Sequence, residues 1–154
     1  MSIEFRTLDP ELQTYGSYVA FKCGNEHSLF IEQPPALATR QFFSWAQKGV
    51  VEIFGGQTVR PIAVEVWIHD STFTTLALLD AALIALDAKA GEFGDVRITT
   101  PETITRTDVR FVGFHRVPFE GQKQPAPILA QGVSNVSYGN WHIAGELHFL
   151  QLMQ

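Results

Sequence analysis

The chain of 154 residues contains only one cysteine, Cys23, and few charged residues. A single cysteine excludes an intrachain disulfide and any metal site built from several thiolates of one chain. We interpret Cys23 as a small apolar residue with an unreactive thiol. Charged residues make up 18% of the sequence and hydrophobic residues 45%, whereas an average domain has roughly 25% charged residues. This composition predicts a folded domain with some surface reserved for another protein.

Long apolar runs and an excess of basic residues are also absent. No run approaches the roughly 20 apolar residues of a membrane-spanning helix, and "MSIEFRTLDPELQ" has acids and a proline that a signal peptide lacks. The formal charge of −5 disfavours broad nucleic-acid binding, which depends on a basic surface. We expect a single domain over residues 1–154, cytoplasmic, without a membrane partner or broad nucleic-acid binding.

The common catalytic motifs are missing as well. The sequence has no Gly-x-Ser-x-Gly elbow, and no pattern beside Cys23 identifies a base. "FGGQT" lacks the lysine of a P-loop, and "GEFGD" lacks the flanking strand and helix of a dinucleotide-binding turn. We therefore assign no catalytic residue, no cofactor and no metal, and we expect a protein that is not an enzyme.

The clearest secondary-structure signal runs from Arg60 to Gly91. Four aliphatic residues alternate with other side chains, as in a half-buried strand over residues 61–69: Ile62, Val64, Val66 and Ile68. Apolar residues then follow three- and four-residue steps: Phe73, Leu76, Leu79, Leu83 and Leu86. This spacing predicts an amphipathic helix over about 72–90 that ends near Gly91.

The dipeptide His69-Asp70 lies where the strand pattern changes to the helix pattern. A two-metal hydrolase would need further histidines and a distant aspartate converging on this pair, and the sequence places strands there instead. A carboxylate just before a helix that begins near Ser71 or Thr72 satisfies the first free amides. We therefore predict that Asp70 is the N-cap of the helix.

The other segments favour strands. Residues 16–23 and 27–33 resemble a hairpin around a Gly-Asn turn, and residues 50–54, 95–100, 107–119 and 141–152 have strand character. Residues 36–49 fit a short helix closed by Gly49 or an aromatic strand, and we favour the helix. In 107–119 the alternation places Phe111 and His115 on one face and Phe114 on the other. The fold class is α+β, a mostly antiparallel sheet with one principal helix packed on it.

A long segment with little periodicity, Glu120 to Asn140, separates the last two strands. Loops of this length in a compact domain are usually functional. It carries apolar residues that a merely solvated loop does not need: Ile128, Leu129, Val133, Val136 and Tyr138. The segment is either an arm that contacts another subunit or an extra hairpin that lies on its own domain.

The best metal-ligating pattern is His142, Glu146 and His148 on one face of the last strand. Residues two apart on a strand lie roughly 7 Å from each other, so Glu146 and His148 reach a shared metal only with adjustment. His115 or His27 would have to supply a further ligand. Polar residues that alternate with apolar ones are also the ordinary mark of a solvated sheet face, which is the interpretation we favour.

The second half of the chain resembles small tail and tail-completion proteins of bacteriophages and phage-derived particles. The resemblance covers roughly residues 55–152 and rests on "FGGQTVRPIAVEVWIHDSTFTTLALLDAALIALDAKAGEFGDVRI" and "WHIAGELHFLQL". It is a likeness of layout, in which a glycine-rich turn and an arginine precede a strand, a helix crosses the sheet and an alternating strand closes it. It implies a subunit that packs through strands and loops into a ring or tube.

Together these observations favour a non-enzymatic structural subunit, a homo-oligomer whose partners are other copies and other structural proteins, located in the cytoplasm or in a virion-like particle. The arm would contact a receiving surface that includes Trp67 or Phe114, since ring contacts are heterologous. Two alternatives stay open. One is a small metal- or ligand-binding protein or enzyme that uses His142, Glu146 and His148, and the other is a dimeric interaction module.

Overall fold

A computed structural model of the protein describes residues 2–24, 30–43, 50–99, 102–116, 126–129 and 138–153, of which 38–43, 50–55, 126–129 and 138–140 are described by their backbone alone. These residues form one helix, α1 (Leu76–Ala88), and twelve strands. The strands are β1 (Ile3–Asp9), β2 (Thr14–Tyr15), β3 (Val19–Ala20), β4 (Cys23–Gly24), β5 (Ile31–Glu32), β6 (Leu37–Phe43), β7 (Val50–Gln57), β8 (Val59–His69), β9 (Phe93–Ile98), β10 (Ile104–Arg116), β11 (Ala126–Leu129) and β12 (Tyr138–Leu152).

The main sheet is antiparallel in every pairing, in the order β2-β1-β9-β10-β12-β8-β4. The prediction of a mostly antiparallel sheet with one helix is therefore confirmed for the described residues. The strands expected at 61–69 and 141–152 are also confirmed, and they pair with each other from His142 opposite His69 to Leu152 opposite Val59. No helix in the described part of the chain is long and apolar enough to span a membrane.

The segment from Val19 to Gly24 pairs with both β1 and β8, which lie near opposite ends of this strand order. Its first half pairs with β1, where the Phe21 amide donates to the Ile3 carbonyl, and its second half pairs with β8. β5 also pairs with β8. The hairpin that the sequence suggested between 16–23 and 27–33 is therefore wrong for the described residues, because these short strands satisfy their backbone groups on β1 and β8 instead.

Four phenylalanines from different parts of the chain meet inside this closed arrangement. Phe5, Phe21, Phe111 and Phe149 all contact one another, with ring centroids 5.3 to 6.4 Å apart. All four are at most 8% exposed. The distances fall in the range of favourable aromatic pairs. The four rings therefore pack β1, the Val19–Gly24 segment, β10 and β12 against one another in the core.

The helix is shorter at its N-terminus than the sequence predicted. It begins at Leu76 with Thr75 as N-cap, whose Oγ1 accepts from the Leu78 amide at 3.4 Å. Asp70 does not cap it. Its Oδ1 instead accepts from the backbone amide of Thr72 at 2.9 Å and from the Thr72 hydroxyl at 2.6 Å, which fixes a turn between β8 and the helix.

α1 covers the core with only part of its apolar surface. Leu79 and Leu83 are buried, and Leu86 is half-buried against the core. Leu76, which we expected on the buried stripe, is the first residue of the helix and is 46% exposed. Leu78 and Ile84 are exposed as well.

Residues 37–43 form strand β6 rather than the favoured helix over 36–49; residues 44–49 lie outside the described part. β6 pairs with β7 in a separate two-stranded sheet, with Phe43 opposite Val50. The strand alternative is therefore correct for 37–43. A neighbouring β-branched strand overrides the local helix signal, since strand preference depends on the partner.

Two irregularities in β10 change which side chains face the core. The first follows Arg106 and contains Asp108, which has a φ of +57°, and the second lies between Phe111 and Gly113. After the second, Phe114 is opposite Leu147 on the core side, whereas His115 is opposite Glu146 on the outer side. The predicted grouping of His115 with Phe111 is therefore wrong, because one extra residue reverses the alternation.

The β1–β9 ladder is fixed by cross-strand ion pairs. Arg6 donates to Asp95 through Nε at 2.8 Å and through a terminal nitrogen at 2.5 Å, and Asp95 is only 1% exposed. The other oxygen of Asp95 accepts from the Asp108 amide at 3.2 Å. Arg97 pairs with Glu4 in the same ladder, and this hydrogen bond lowers the pKa of Glu4. Asp95 therefore secures both the ladder and the positive-φ turn of β10.

Candidate assembly surfaces and the outer face of the sheet

Two strand pairs extend from opposite ends of the β8–β12 ladder. β7 leads into β8 through Thr58, whose amide donates to the Ala36 carbonyl at 2.9 Å, so the β6–β7 hairpin is attached at the Val59 end. At the other end β12 continues beyond His142 and pairs with β11. The eleven residues of β8 between these ends span roughly 35 Å at the usual rise per residue.

The proposed arm is described only in part. Ile128 and Leu129 lie in β11, Tyr138 begins β12, and Val133 and Val136 lie outside the described residues. β11 pairs with β12, with Ala126 opposite His142 and Leu129 opposite Tyr138. Over 126–129 the segment is therefore a strand that extends the sheet, as the hairpin alternative expected. Its contact with another subunit stays a prediction.

The structure does not bring Trp67 and Phe114 together. Trp67 lies on the outer face of β8, opposite Ala144 of β12, and its ring centroid is 5.0 Å from that of His142. Phe114 lies on the core face and packs against the buried cluster. A single receiving surface therefore cannot include both side chains, and Trp67 is the one on the outer face.

His142 contacts Trp67 and lies opposite a second histidine that the sequence pattern did not single out as a partner. The register places His142 directly opposite His69. Its Nδ1 is buried and has no hydrogen-bond partner among the described residues. Burial, followed by the nearby His69, lowers the pKa of His142. Both effects disfavour the imidazolium, so this end of the outer face favours a neutral ring.

Glu146 and His148 form a second group farther along β12. His148 Nε2 and Glu146 Oε2 are 2.9 Å apart, and the rings of His115 and His148 meet edge to face with centroids 5.8 Å apart. Asp87 of α1 lines the same open hollow as His115 and His148. This group combines a hydrogen bond and a ring contact on a partly exposed face, as solvated sheet surfaces commonly do.

The three candidate ligands His142, Glu146 and His148 do not converge. Four residues of strand separate His142 from Glu146, which corresponds to roughly 13 Å. Within the described residues, no group of three or more histidine, cysteine, aspartate or glutamate side chains is arranged to hold a metal ion. Cys23 lies apart in β4, and burial raises the pKa of its thiol to about 12. That value leaves the thiol protonated and unsuited to nucleophilic attack.

The β6–β7 hairpin was not predicted as a contact surface from the sequence. Its signals were present in Pro34-Pro35 before the first strand and in the β-branched run "VVEIF" after Gly49. A cleft between α1 and Val19–Lys22 was missed too, since it depends on a contact between segments distant in sequence. Comparison with known proteins adds no assignment: no family model, curated protein or solved structure matches the chain.

Proposed function

We propose that the protein is a non-enzymatic structural subunit that assembles head to tail with copies of itself, as a component of a phage tail-like or phage-derived particle. The observation that carries this proposal is the position of two strand pairs, β6–β7 and β11–β12, at opposite ends of one ladder. A heterologous contact needs different surfaces on the two sides of a subunit. In this arrangement the β11–β12 extension of one copy contacts the β6–β7 end of the next.

The side chains that the described residues expose are compatible with a structural subunit. Exposed large apolar side chains are spread over several elements: Val19, Ile31, Leu37, Leu78, Ile84 and Val112. Apolar side chains scattered in this way are usual on protein surfaces and are compatible with contact between subunits. On the outer face, His148 and Glu146 are hydrogen-bonded to each other. The resemblance over residues 55–152 to phage tail proteins points in the same direction.

The first experiment is the mass in solution by light scattering after size exclusion, over a concentration series. We expect a discrete oligomer, or one that grows with concentration toward rings or tubes. A strict monomer at all concentrations would contradict self-assembly. A discrete dimer that does not grow would favour the alternative of a dimeric interaction module.

A pair of deletions of equal length tests the head-to-tail arrangement. One variant lacks residues 124–137 and the other lacks residues 40–53, and in each a short Gly-Ser turn joins the ends. We expect each variant alone to be a folded monomer by circular dichroism and light scattering, because each retains only one half of the contact. Mixed in equal amounts they should form a one-to-one pair that grows no further.

Mixing the two variants distinguishes the loss of a contact surface from a folding defect. If both variants fold but do not associate when mixed, the two ends do not contact each other and the head-to-tail arrangement is wrong. If either variant assembles normally by itself, the deleted element is not part of the contact. If the first variant fails to fold, residues 124–137 belong to the domain's own sheet.

A further inference from the structure

A cleft of about 310 Å³ lies between α1 and the segment Val19–Lys22. Phe21 and Ile68, both nearly fully buried, form its floor, and Ala82, Ala85 and Leu86 form the wall on the helix side. Its volume is at the lower end of the range for small-molecule sites, which are mostly apolar with a few polar groups. The cleft therefore has room for a single alkyl or aryl group.

Among the described residues, the only charged side chains that line the cleft are two lysines, Lys22 and Lys89. The Nζ of Lys89 lies 5.9 Å from the ring centroid of Phe21, on the floor of the cleft. The Nζ of Lys22 lies 5.7 Å from the ring centroid of Phe73. The Lys89 ammonium therefore lies at the aromatic floor of the cleft, and Lys22 lines the cleft with its ammonium near Phe73.

These lysines differ from four of the arginines in how their charge is used. Arg6, Arg60, Arg97 and Arg106 all form ion pairs. Neither Lys22 nor Lys89 forms an ion pair with an acid among the residues that the structure describes. The charge of Lys22 is one of the causes that lower the pKa of Asp70, but Asp70 already accepts two hydrogen bonds from Thr72.

From this geometry we propose that the cleft binds a small apolar carboxylate, such as a medium-chain fatty acid. The alkyl chain lies on Phe21 and Ile68 between the helix and the Val19–Lys22 segment, and the carboxylate accepts hydrogen bonds from Lys22 and Lys89. Two local cations in a protein of net charge −5 make the cleft complementary to an anion. The site does not depend on the proposed assembly.

Calorimetric titration with decanoate, below the concentration at which it forms micelles, tests the proposal. Decanol carries the chain without the charge and acetate carries the charge without the chain. We expect saturable one-to-one binding of decanoate, weaker binding of decanol by about tenfold, the loss expected when a charged hydrogen bond is missing, and no binding of acetate. Equal binding of decanol and decanoate, or no saturable binding of decanoate, overturns the proposal.

Three variants test whether decanoate binds in the cleft. Lys22→Gln with Lys89→Gln should weaken decanoate binding by about tenfold, and Ala85→Trp, at an exposed helix position, should fill the cleft and abolish it. Arg110→Gln removes one exposed positive charge from β10 and should leave binding unchanged. If Ala85→Trp binds decanoate normally, the ligand lies elsewhere and the proposal is wrong. If decanoate does not bind and Ala85→Trp breaks up an oligomer, a second copy occupies the cleft instead.

Discussion

The backbone of Gly145 in β12 lies directly against the aromatic ring of Phe114 in β10. A Cβ added at Gly145 would meet the ring at 2.5 Å and the His115 carbonyl oxygen at 2.2 Å. Gly145 is buried, and its neighbour across the other ladder is Val66. The contact therefore requires glycine, because no shift of the ring alone would relieve the clash with the carbonyl.

Gly145→Ala should destabilise the protein by about 2–3 kcal/mol, the cost of overpacking between strands. Gly24→Ala is the matched control, since no described residue lies within 4 Å of a Cβ at Gly24, and it should change stability by no more than about 0.5 kcal/mol. Urea denaturation of both variants measures the difference. Equal stability of the two would show that β10 and β12 are farther apart than the structure places them.

Asp95→Asn should destabilise by about 2–4 kcal/mol, because it leaves Arg6 without its buried charged partner. Glu4→Gln removes the acid of the neighbouring ion pair, which is more exposed, and should cost no more than about 1 kcal/mol. Thermal unfolding at pH 7 distinguishes the two. Similar losses in both variants would mean that the burial of Asp95 adds nothing to the pair.

The stability of the protein should fall as the pH drops below about 6.5. The pKa of His142 is lowered in the folded state, first by burial and then by His69. The contribution of neutral His142 to the free energy of unfolding is therefore complete at pH values above its pKa in the unfolded chain. It is lost as the pH falls through its lower pKa in the folded protein. His142→Phe should reduce the decrease in melting temperature between pH 7.5 and 5.5, and it also removes the unpaired Nδ1.

An NMR titration checks the same group directly. The midpoint for the His142 ring should lie below the ordinary value of 6.5 in the native protein and should rise in His69→Gln, which removes the second cause of the shift. A His142 midpoint at the ordinary value in the native protein would contradict the placement of this ring between Trp67 and His69.

Cys23 should react slowly with thiol reagents in the folded protein. Burial raises the pKa of its thiol to about 12, so very little thiolate is present at pH 8. Modification by a chromogenic disulfide should become fast only in denaturant, with free cysteine as the reference for the intrinsic rate. Rapid modification under native conditions would mean that β4 opens readily from β8.

Sequence patterns were sufficient where a strand has one buried face and failed where a distant partner decides the structure. The alternation of Ile62, Val64 and Val66 predicted β8, because burial on one side imposes it directly. Phe73 matched the helix period although it lies in the turn before α1. The strand at 37–43 depends on β7, and the reversal at Val112 depends on a bulge that alternation does not reveal.

The candidate site was predictable to a similar extent. The outer face with His142, Glu146 and His148 follows from the strand period. The pairing of His142 with His69 follows only from the register of β8 and β12. Trp67 and Phe114 were grouped as possible parts of one surface, and the bulge in β10 places them on different faces.

The position of β12 has a consequence for the chain during its synthesis. β12 lies between β8 and β10 in the sheet and pairs with β8 from His142 to Leu152 and with β10 from Gly145 to Gln151. Residues 59–116 leave the ribosome before β12 does, so both neighbouring strands then expose an unpaired edge. Such edges favour association with other nascent chains. Synthesis itself thus creates a period in which chaperone binding would protect the unfinished domain.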